Sequence, residues 1–582
     1  MKLVNVLEDE HLNTLNHSCA HVMAQAVKHL FPDAKFWVGP VIQDGFYYDI
    51  DLGDYKLKDE DIPKIEKEMK KIAKDGKRIV RHEISKEEAL EQFKDDPYKL
   101  DLISGLEDGT ISMYTQGDFT DLCRGPHVET VKACRNFKLL KHSGAYWKGD
   151  ADNKMLQRIY GICFDTKEEL EAHLEALEEA KKRDHKRLGK EMGLFTLTEY
   201  APGMPVFLPD GMVLRNLLET YSHDLQVANG YEFIDTPMVM ARTLWERSGH
   251  WDHYKQNMYT TQVDDRDFAI KPMNCPGALL VYNSTLHSYK DLPLRLAEMG
   301  HVHRQEASGA LNGLFRVRTF TQDDCHIFVT PNQIEEEVTK IIHLIDQMYS
   351  VFGLEYDIEL STRPEEGYIG SLDLWEQSEA ALAKACQAAG KDYKVNPGDG
   401  AFYGPKLDFH IRDSLNRVWQ CGTVQLDMNL PERFEATYVD TDGSKQVPIM
   451  IHRAIYGSFE RFIGILIEHF GGHFPLWLSP KQFVVIPVHQ EKHVDYANKV
   501  AEELAAVGMR VQVDDRNEKL GYRVREAQVN KVPYQIVVGD GEVNDQTVTI
   551  RKSGTRESVT LPLNEAVARF TKEVEDKELF KI

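Results

Sequence analysis

A multidomain α+β protein is what this sequence predicts, on three observations. The chain has 582 residues, and single hydrophobic cores stop growing at roughly 250–300. At about 100–200 residues per domain, three to five domains are expected. Hydrophobic residues make up 42% and charged residues 28%, ordinary globular usage that excludes a disordered, collagenous or disulfide-scaffold chain. Helical and strand patterns alternate through the large middle of the chain without a regular βαβ rhythm. That favours an antiparallel sheet over a doubly wound one.

The elements follow in order. Residues 11–30 are apolar at helical spacing, and residues 36–50 alternate like a hairpin, with turn signals at Gly39-Pro40 and Asp44-Gly45. They open a first zone, 1–165, of mixed helix and strand. Residues 166–190 predict one charged linker helix, started by Asp165 or Thr166 as N-cap. Its acidic residues come early and its basic residues late, which suits the helix dipole. It reads as a solvated connector, although the late cluster Lys181, Lys182, Arg183, Lys186 and Arg187 could instead touch phosphates. The third zone, 191–480, predicts a helix over 213–229 and a strand over 319–329. The fourth, 481–582, predicts strands at 483–488, 511–513 and 535–538 with helices over 494–507 and 522–530. That is a compact unit with a mixed or parallel sheet, its first helix crossing one face.

The formal charge is −23, from 70 Lys+Arg against 93 Asp+Glu, which argues against a general nucleic-acid coat. The last zone is nearly neutral, with 16 basic and 17 acidic residues. A selective nucleic-acid binder needs only local positive surfaces, and net acidity limits unselective binding. Eight Cys without a Cys-x-x-Cys pair do not make a disulfide framework. No apolar run approaches the about 18 residues of a membrane span. The opening MKLVNVLEDE lacks a signal-peptide layout. A reduced, cytoplasmic enzyme without membrane contact is expected.

Two constellations carry chemistry. His17 and His21 lie four apart on the predicted helix, so both imidazoles share a face. Cys123 and His127 lie in DLCRGPH, where Gly125-Pro126 forces a turn. The quartet could ligate zinc, or it could position water with neutral imidazoles; unrelated surface histidines are the bland alternative. Cys275, His326 and His452 are too far apart in sequence to form a spacing signature.

Three segments of the third zone resemble the signature motifs of class II aminoacyl-tRNA synthetases. They are a helix running into a strand with Asp235-Thr236-Pro237, the stretch HVHRQEASGALNGLFRVRTFTQDD with Arg304 and Glu306, and YGSFERFIGIL with Glu460-Arg461. AIKPMNCPG, FTQDDCHIF, GAFYGPKLDF, WQCGTVQLD and MIHRAIYGSFERF narrow the resemblance to threonyl-tRNA synthetases, while HSCAHVMAQAVKHLFP and DLCRGPHV resemble that family's editing domain. The resemblance implies a class II antiparallel catalytic core at 191–480, an α/β anticodon-binding domain at 481–582, and an α+β editing domain at 1–165. The ubiquitin-like domain common at the family's N-terminus is expected to be absent.

The implied chemistry is activation of threonine by ATP, then transfer to tRNA(Thr). By resemblance Arg304 contacts the α-phosphate, Arg461 the γ-phosphate and the adenine face, and Glu306 the adenine side. Arg316, in the loop's return strand, is a further nucleotide contact, and Mg2+ accompanies ATP. Arginine suits phosphate because it stays charged and binds in a fork. Cys275, His326 and His452 are the implied ligands of one Zn2+ per subunit. A hydrophobic pocket separates threonine from near-isosteric valine by only about a hundredfold; a metal with open positions can demand both amine and hydroxyl. Asp324 is the candidate acceptor for that hydroxyl. Gln322, Tyr403, Lys406, Gln420, Gln425, Met273 and Ser458 are expected around the amino-acid and transfer site.

Zinc cannot reject serine, which keeps both groups and loses a methyl worth only about 1–3 kcal/mol. A hydrolytic site is therefore expected at His17, His21, Cys123 and His127, with Asp121 and Lys99 as helpers, and it is read as metal-free. Arg551 and Lys552 are candidate anticodon contacts. The proline-bearing first motif implies a homodimer. The sequence departs from the family at Ala278, where His is usual, and at Ala307, where Pro is usual; the reaction class is expected to survive both. Readings that compete are a paralogue for proline or serine, a non-catalytic tRNA-binding homologue, and a metallohydrolase built on the first zone. The Cys/His/His triplet, the intact arginines and the length beyond residue 165 argue against them in turn.

Overall fold

The computed structural model describes residues 3–580 apart from 108, 151 and 556. The described chain divides into two compact units, one of residues up to 179 together with 415–417, the other of 180–414 and 418 onward.

The first unit is built on helix Glu10–Leu30, capped by the Asp9 carboxylate, which accepts from Leu12 N–H at 3.0 Å. Its apolar positions recur at helical spacing, so Leu15, Cys19, Val22, Met23, Ala26 and Val27 are all buried. They pack among Phe46, Tyr48 and Ile159 of a five-stranded antiparallel sheet. In that sheet Gly45–Asp51 pairs Met155–Phe164, which pairs Asn136–Tyr146. The expected hairpin over 36–50 is present as Val41–Ile42 turning tightly into Gly45–Asp51. A second sheet of Ile79–Ser85, Thr110–Gln116 and Phe119–Leu122 delivers the chain to the 123–127 turn. Helix and turn thereby bring residues 17–21 to residues 123–127.

The connector differs from the single helix expected over 166–190. Helix Lys167–Lys182, capped by Thr166, ends there, and a new helix, His185–Glu191, starts. The reason is local: the Asp184 carboxylate accepts from Lys186 and Arg187 N–H at 2.9 and 3.1 Å, and an N-cap has non-helical backbone.

The second unit holds an eight-stranded sheet. Its order is Glu232–Phe233, Leu294–His303, Thr319–Val329, Ile449–Ala454, Val418–Asp427, Lys406–Arg412, Glu355–Ser361, Lys394–Asn396. The inner pairings are antiparallel and only the two edge pairings are parallel. Helices Pro209–Ala228, Ile334–Ser350, Leu372–Ala388 and Phe459–Phe470 carry buried side chains of the same core. The strand expected to carry Asp235-Thr236-Pro237 is ladder-bonded only at Glu232–Phe233. Beyond it Thr236 turns inward, donating its hydroxyl to Glu298 at 2.9 Å, and Pro237 has no N–H for a ladder.

The C-terminal part of this unit is a five-stranded sheet in the order Val511–Val513, Phe483–Pro487, Tyr534–Val538, Thr547–Lys552, Ser558–Pro562. It is mixed: parallel among the first three strands, antiparallel in the last two pairings. Alternation sends Phe483 and Val485 toward helices Gln490–Ala506 and Leu563–Glu575 and sends Val484 and Ile486 toward helix Leu520–Val529. Both faces are thus covered. No helix among the described residues is long and apolar enough to cross a membrane.

Candidate active sites

Antiparallel pairing sets residues from distant parts of the chain in a line. One row across the sheet runs Leu296, His326, His452, Gln425, Lys406. Directly opposed residues share a face, and so do residues two apart on a strand. Gln322, Asp324 and His326 therefore lie on one side of Thr319–Val329. The intervening Thr321, Asp323 and Cys325 are buried on the other.

Above the first side lies a cleft of about 330 Å³, walled by Arg304, Glu306, Phe315, Arg316, Phe320, Gln322, Gln420, Gln425, Ser458 and Arg461 among others. Among the described residues, two guanidiniums are held without a carboxylate partner. Arg304 donates from Nε to Pro272 O at 3.1 Å and lies 5.1 Å from the Phe320 ring centroid. Arg461 has a buried Nε with no protein acceptor. Such charges suit an incoming anion. Glu306 and Arg316 pair with each other at 3.0 Å. Arg316 is not on a return strand as expected; it makes an isolated bridge to Asn312 at the loop tip. The floor is fixed from behind. Asp323 accepts backbone N–H bonds from Ile455, Tyr456 and Gly457 at 2.9, 2.9 and 3.0 Å. Glu460 accepts from Thr321 N–H at 2.9 Å and pairs with Arg215 at 3.0 Å.

A second cavity, of about 510 Å³, is lined by Met273, Cys275, Tyr403 and His452 with His250, Tyr254, Phe402 and Arg433 among others. Tyr403 donates to Gln425 Oε1 at 2.5 Å, so the walls of the two cavities share a hydrogen bond. One ligand atom each of Cys275, His326 and His452 lies within 4.8 Å of the others. His326 Nε2 is buried with no hydrogen-bond partner among the described residues, and burial pushes its imidazole down to about 4. Burial also pushes the Cys275 thiol well up. His452 Nε2 lies 2.9 Å from Asp427 Oδ2, the carboxylate anchor common behind metal-bound histidines. An orphaned buried imidazole nitrogen, a thiol and a carboxylate-anchored imidazole are a donor set that fits Zn2+.

Two expected residues have partners of their own. Lys406 has its ammonium held by Asp408 and Asp399 at 2.7 and 3.0 Å. Asp324 lies beside the Cys275/His326/His452 group; its Oδ2 accepts from Asn274 at 3.0 Å and lies 4.0 Å from His326 Nε2.

In the first unit, His17, His21, Cys123 and His127 also place ligand atoms within 4.8 Å of one another. The Cys123 sulfur is 3.1 Å from His17 Nε2 and 3.1 Å from His127 Nε2. His17 Nδ1 faces the Pro126 carbonyl at 3.1 Å, so the proton sits on Nδ1 and the Nε2 lone pair faces sulfur. Ser18 donates to Thr14 O at 2.8 Å, so its oxygen accepts from His127 Nδ1 at 3.1 Å. That too leaves an Nε2 lone pair on the sulfur. One S–H proton satisfies one of the two imidazoles, and the other keeps a free lone pair. Burial lowers all three histidines, His127 to about 2 and His21 well below the ordinary value. Burial also raises the Cys123 thiol to about 11. The site therefore holds neutral bases. Lys99 and Asp121 form a buried ion pair at 2.5 Å. Asp121 also accepts from Tyr48, and Lys99 donates to Trp37 O at 3.0 Å.

The comparisons with known proteins agree with this geometry. Residues 259–470 match the tRNA synthetase class II core domain (G, H, P, S and T), 482–573 an anticodon binding domain, and 111–160 the threonyl and alanyl tRNA synthetase second additional domain. The chain is 54% identical to the threonine–tRNA ligase of Clostridioides difficile over 581 residues, covering 99% of this chain and 90% of that protein. It is 51% identical to threonine–tRNA ligase 2 of Bacillus subtilis over 580 residues, covering 99% and 90%. The chain belongs to the threonine–tRNA ligase family. A crystal structure of the RNA binding domain of threonyl-tRNA synthetase from Cryptosporidium parvum superposes with a TM-score of 0.64 at 41% identity, covering 67% of this chain and 98% of that one.

For a threonine–tRNA ligase, the structure adds site residues that sequence reasoning missed. His250 lines the second cavity, with Nε2 3.1 Å from Met273 Sδ and 4.0 Å from Cys275 Sγ. Phe315 faces the cleft, and Asp427 Oδ2 faces His452 Nε2. His250 follows a glycine in a short helix and carries no motif. Phe315 lies within HVHRQEASGALNGLFRVRTFTQDD, where an aromatic ring between Leu314 and Arg316 is the signal for it. Ala278 is fully buried, whereas Ala307 is exposed. Arg551 is exposed on strand Thr547–Lys552, and Lys552 lies 4.5 Å from the Phe580 ring centroid.

Proposed function

We propose that this protein activates threonine with ATP, transfers the threonyl group to tRNA(Thr), and hydrolyses mischarged seryl-tRNA(Thr). The observation that carries the first two steps is the convergence of Arg304, Arg316 and Arg461 on one cleft whose wall is hydrogen-bonded to that of the Cys275/His326/His452 cavity. The threonine carboxylate attacks the α-phosphorus, and pyrophosphate leaves with Mg2+. Arg304 and Arg461 place fixed positive charge where negative charge builds, so no dipole must reorganise during the step. Gln322, Gln420, Gln425 and Ser458 supply neutral donors and acceptors on the same wall.

Cys275, His326 and His452 would hold Zn2+, whose open positions accept an amine and a hydroxyl together and so favour threonine over valine. Asp427 orients His452, and Met273, Tyr403 and His250 shape the space around the amino acid. In the first unit a neutral imidazole, His17 or His127, takes a proton from water, and a neighbouring group returns one to the ribose oxygen that leaves. The Lys99–Asp121 pair sets the local field. The working division is 1–165 for editing, 166–190 for the linker, 191–480 for synthesis and 481–582 for the anticodon. A cytoplasmic homodimer is the assembly we assign.

Pyrophosphate exchange tests the reading. Threonine should support exchange, serine weakly, valine least. A chelator should abolish the threonine signal, and added Zn2+ should restore it. Absence of threonine-dependent exchange in the untreated protein overturns the assignment.

A further inference from the structure

Helix His185–Glu191 belongs to the second unit, and its first side chain is buried there. His185, the first residue of helix His185–Glu191, is 1% exposed, and both its ring nitrogens are engaged. Leu314 N–H donates to Nε2 at 3.0 Å. Because Nε2 accepts, the ring proton is on Nδ1, which faces Glu468 Oε1 at 2.6 Å. The same carboxylate oxygen accepts from the His185 backbone N–H at 2.9 Å. Asp184, His185 and Glu468 cluster closely enough for a cation, yet the imidazole has no lone pair left to offer one.

The contact is with the loop that walls the cleft. The His185 ring packs 4.0 Å from the Phe315 ring, which packs 4.5 Å from Trp419. Gly313, at φ +51°, passes so close that a Cβ there would stand 2.1 Å from His185 Nε2. Lys186 donates to Asn312 at 3.2 Å. Phe315 and Arg316 are cleft residues, so the first turn of helix His185–Glu191 holds the loop at residues 312, 314 and 315.

We propose that His185, oriented by Glu468, is a positioning residue for ATP: it sets the loop so that Phe315 and Arg316 face the nucleotide. This rests on the cleft being the ATP site. A buried donor whose acceptor is removed is left unsatisfied and the backbone carrying it shifts to find another partner, which is enough to misplace a loop. The effect should fall on ATP and spare threonine, whose proposed pocket has other walls.

The experiment uses the full-length, Zn2+-loaded protein. Exchange by the unsubstituted protein comes first; its failure would count against the assigned reaction, not against His185. Asparagine keeps a donor near Nδ1 and removes the acceptor at Nε2. His185→Asn should therefore raise the KM for ATP about tenfold, with the KM for threonine within twofold. Calorimetric Kd for a non-hydrolysable ATP analogue should rise in parallel. Glu468→Gln, which keeps an acceptor oxygen, should return the ATP KM to within threefold. Gly313→Ala perturbs the contact from the loop side and should give the same ATP-selective change, which serves if His185→Asn fails to fold. An unchanged ATP KM in His185→Asn, or equal rises in both KM values across the variants, overturns the proposal.

Discussion

Two clusters of almost the same donor chemistry, one in each unit, differ in what stands behind the donors. At Cys275/His326/His452 a carboxylate, Asp427, backs one imidazole; each cluster also holds one buried imidazole nitrogen without a partner among the described residues, His326 Nε2 and His21 Nδ1. At His17/His21/Cys123/His127 a carbonyl and a hydroxyl back two imidazoles. The nearby carboxylate of Asp121 is occupied by Lys99 and Tyr48. Partners behind a ligand set its basicity and orientation. The first arrangement favours a cation among the donors, and the second favours neutral bases around water. Ligand-type residues alone do not separate the two; the carboxylate behind His452 is the difference on which the proposed roles rest.

The largest effect that could break this contrast is removal of a donor from the first cluster. Cys275→Ala should lose its bound zinc and lower threonine-dependent exchange by about a thousandfold or more, since substrate orientation goes with it. Elemental analysis should find one zinc in the unsubstituted chain and none in the variant. Two zincs in the unsubstituted chain would erase the distinction. Next comes the second cluster: His17→Ala should slow seryl-tRNA hydrolysis about a hundredfold, the scale of one general base, and leave exchange within twofold. Equal loss of both activities would contradict separate roles.

Smaller effects sharpen it. Asp427→Asn should weaken zinc retention about 10–100-fold, read by competition with a chelator, while Asp121→Asn should not alter the metal content. The smallest is in stability. Burial holds His17, His21 and His127 below their ordinary value of 6.5, so the unfolded chain binds protons that the folded unit refuses. Stability present at pH 7 should therefore fall as the pH drops below about 6.5 toward the lowered folded values. The loss is up to about 1 kcal/mol per imidazole per pH unit. Thermal melts at pH 7 and pH 5 read this, and the His17→Ala/His21→Ala double variant should show a shallower slope.

Local pattern made much of the fold legible. Residues 11–30 read as a helix because their apolar spacing matches a buried face, and Glu10–Leu30 is that helix. Strand Thr319–Val329 appears at its expected bounds because it opens and closes on runs of β-branched and aromatic residues. The misses are where one residue's tertiary or capping bond outweighs periodicity. Asp184 breaks a helix whose charge pattern ran on, and Thr236 leaves a strand to reach Glu298. In the sites, the class II motif stretches hold most of the cleft's residues. They did not reveal that Lys406 is bound by two aspartates, that His250 joins the amino-acid side, or that Asp427 backs His452.

The sequence by itself determined the residue types: arginines that cannot lose their charge, thiol and imidazole donors, a helix placing His17 and His21 on one face. Those follow from chemistry and from periods of a few residues. Only the tertiary structure decided which donors meet. Cys275, His326 and His452 are 51 and 126 residues apart in succession, and it is antiparallel register that sets His326 directly opposite His452. Register is fixed by which face of each strand is buried. The whole core must therefore form before the site exists, and no window of sequence contains it.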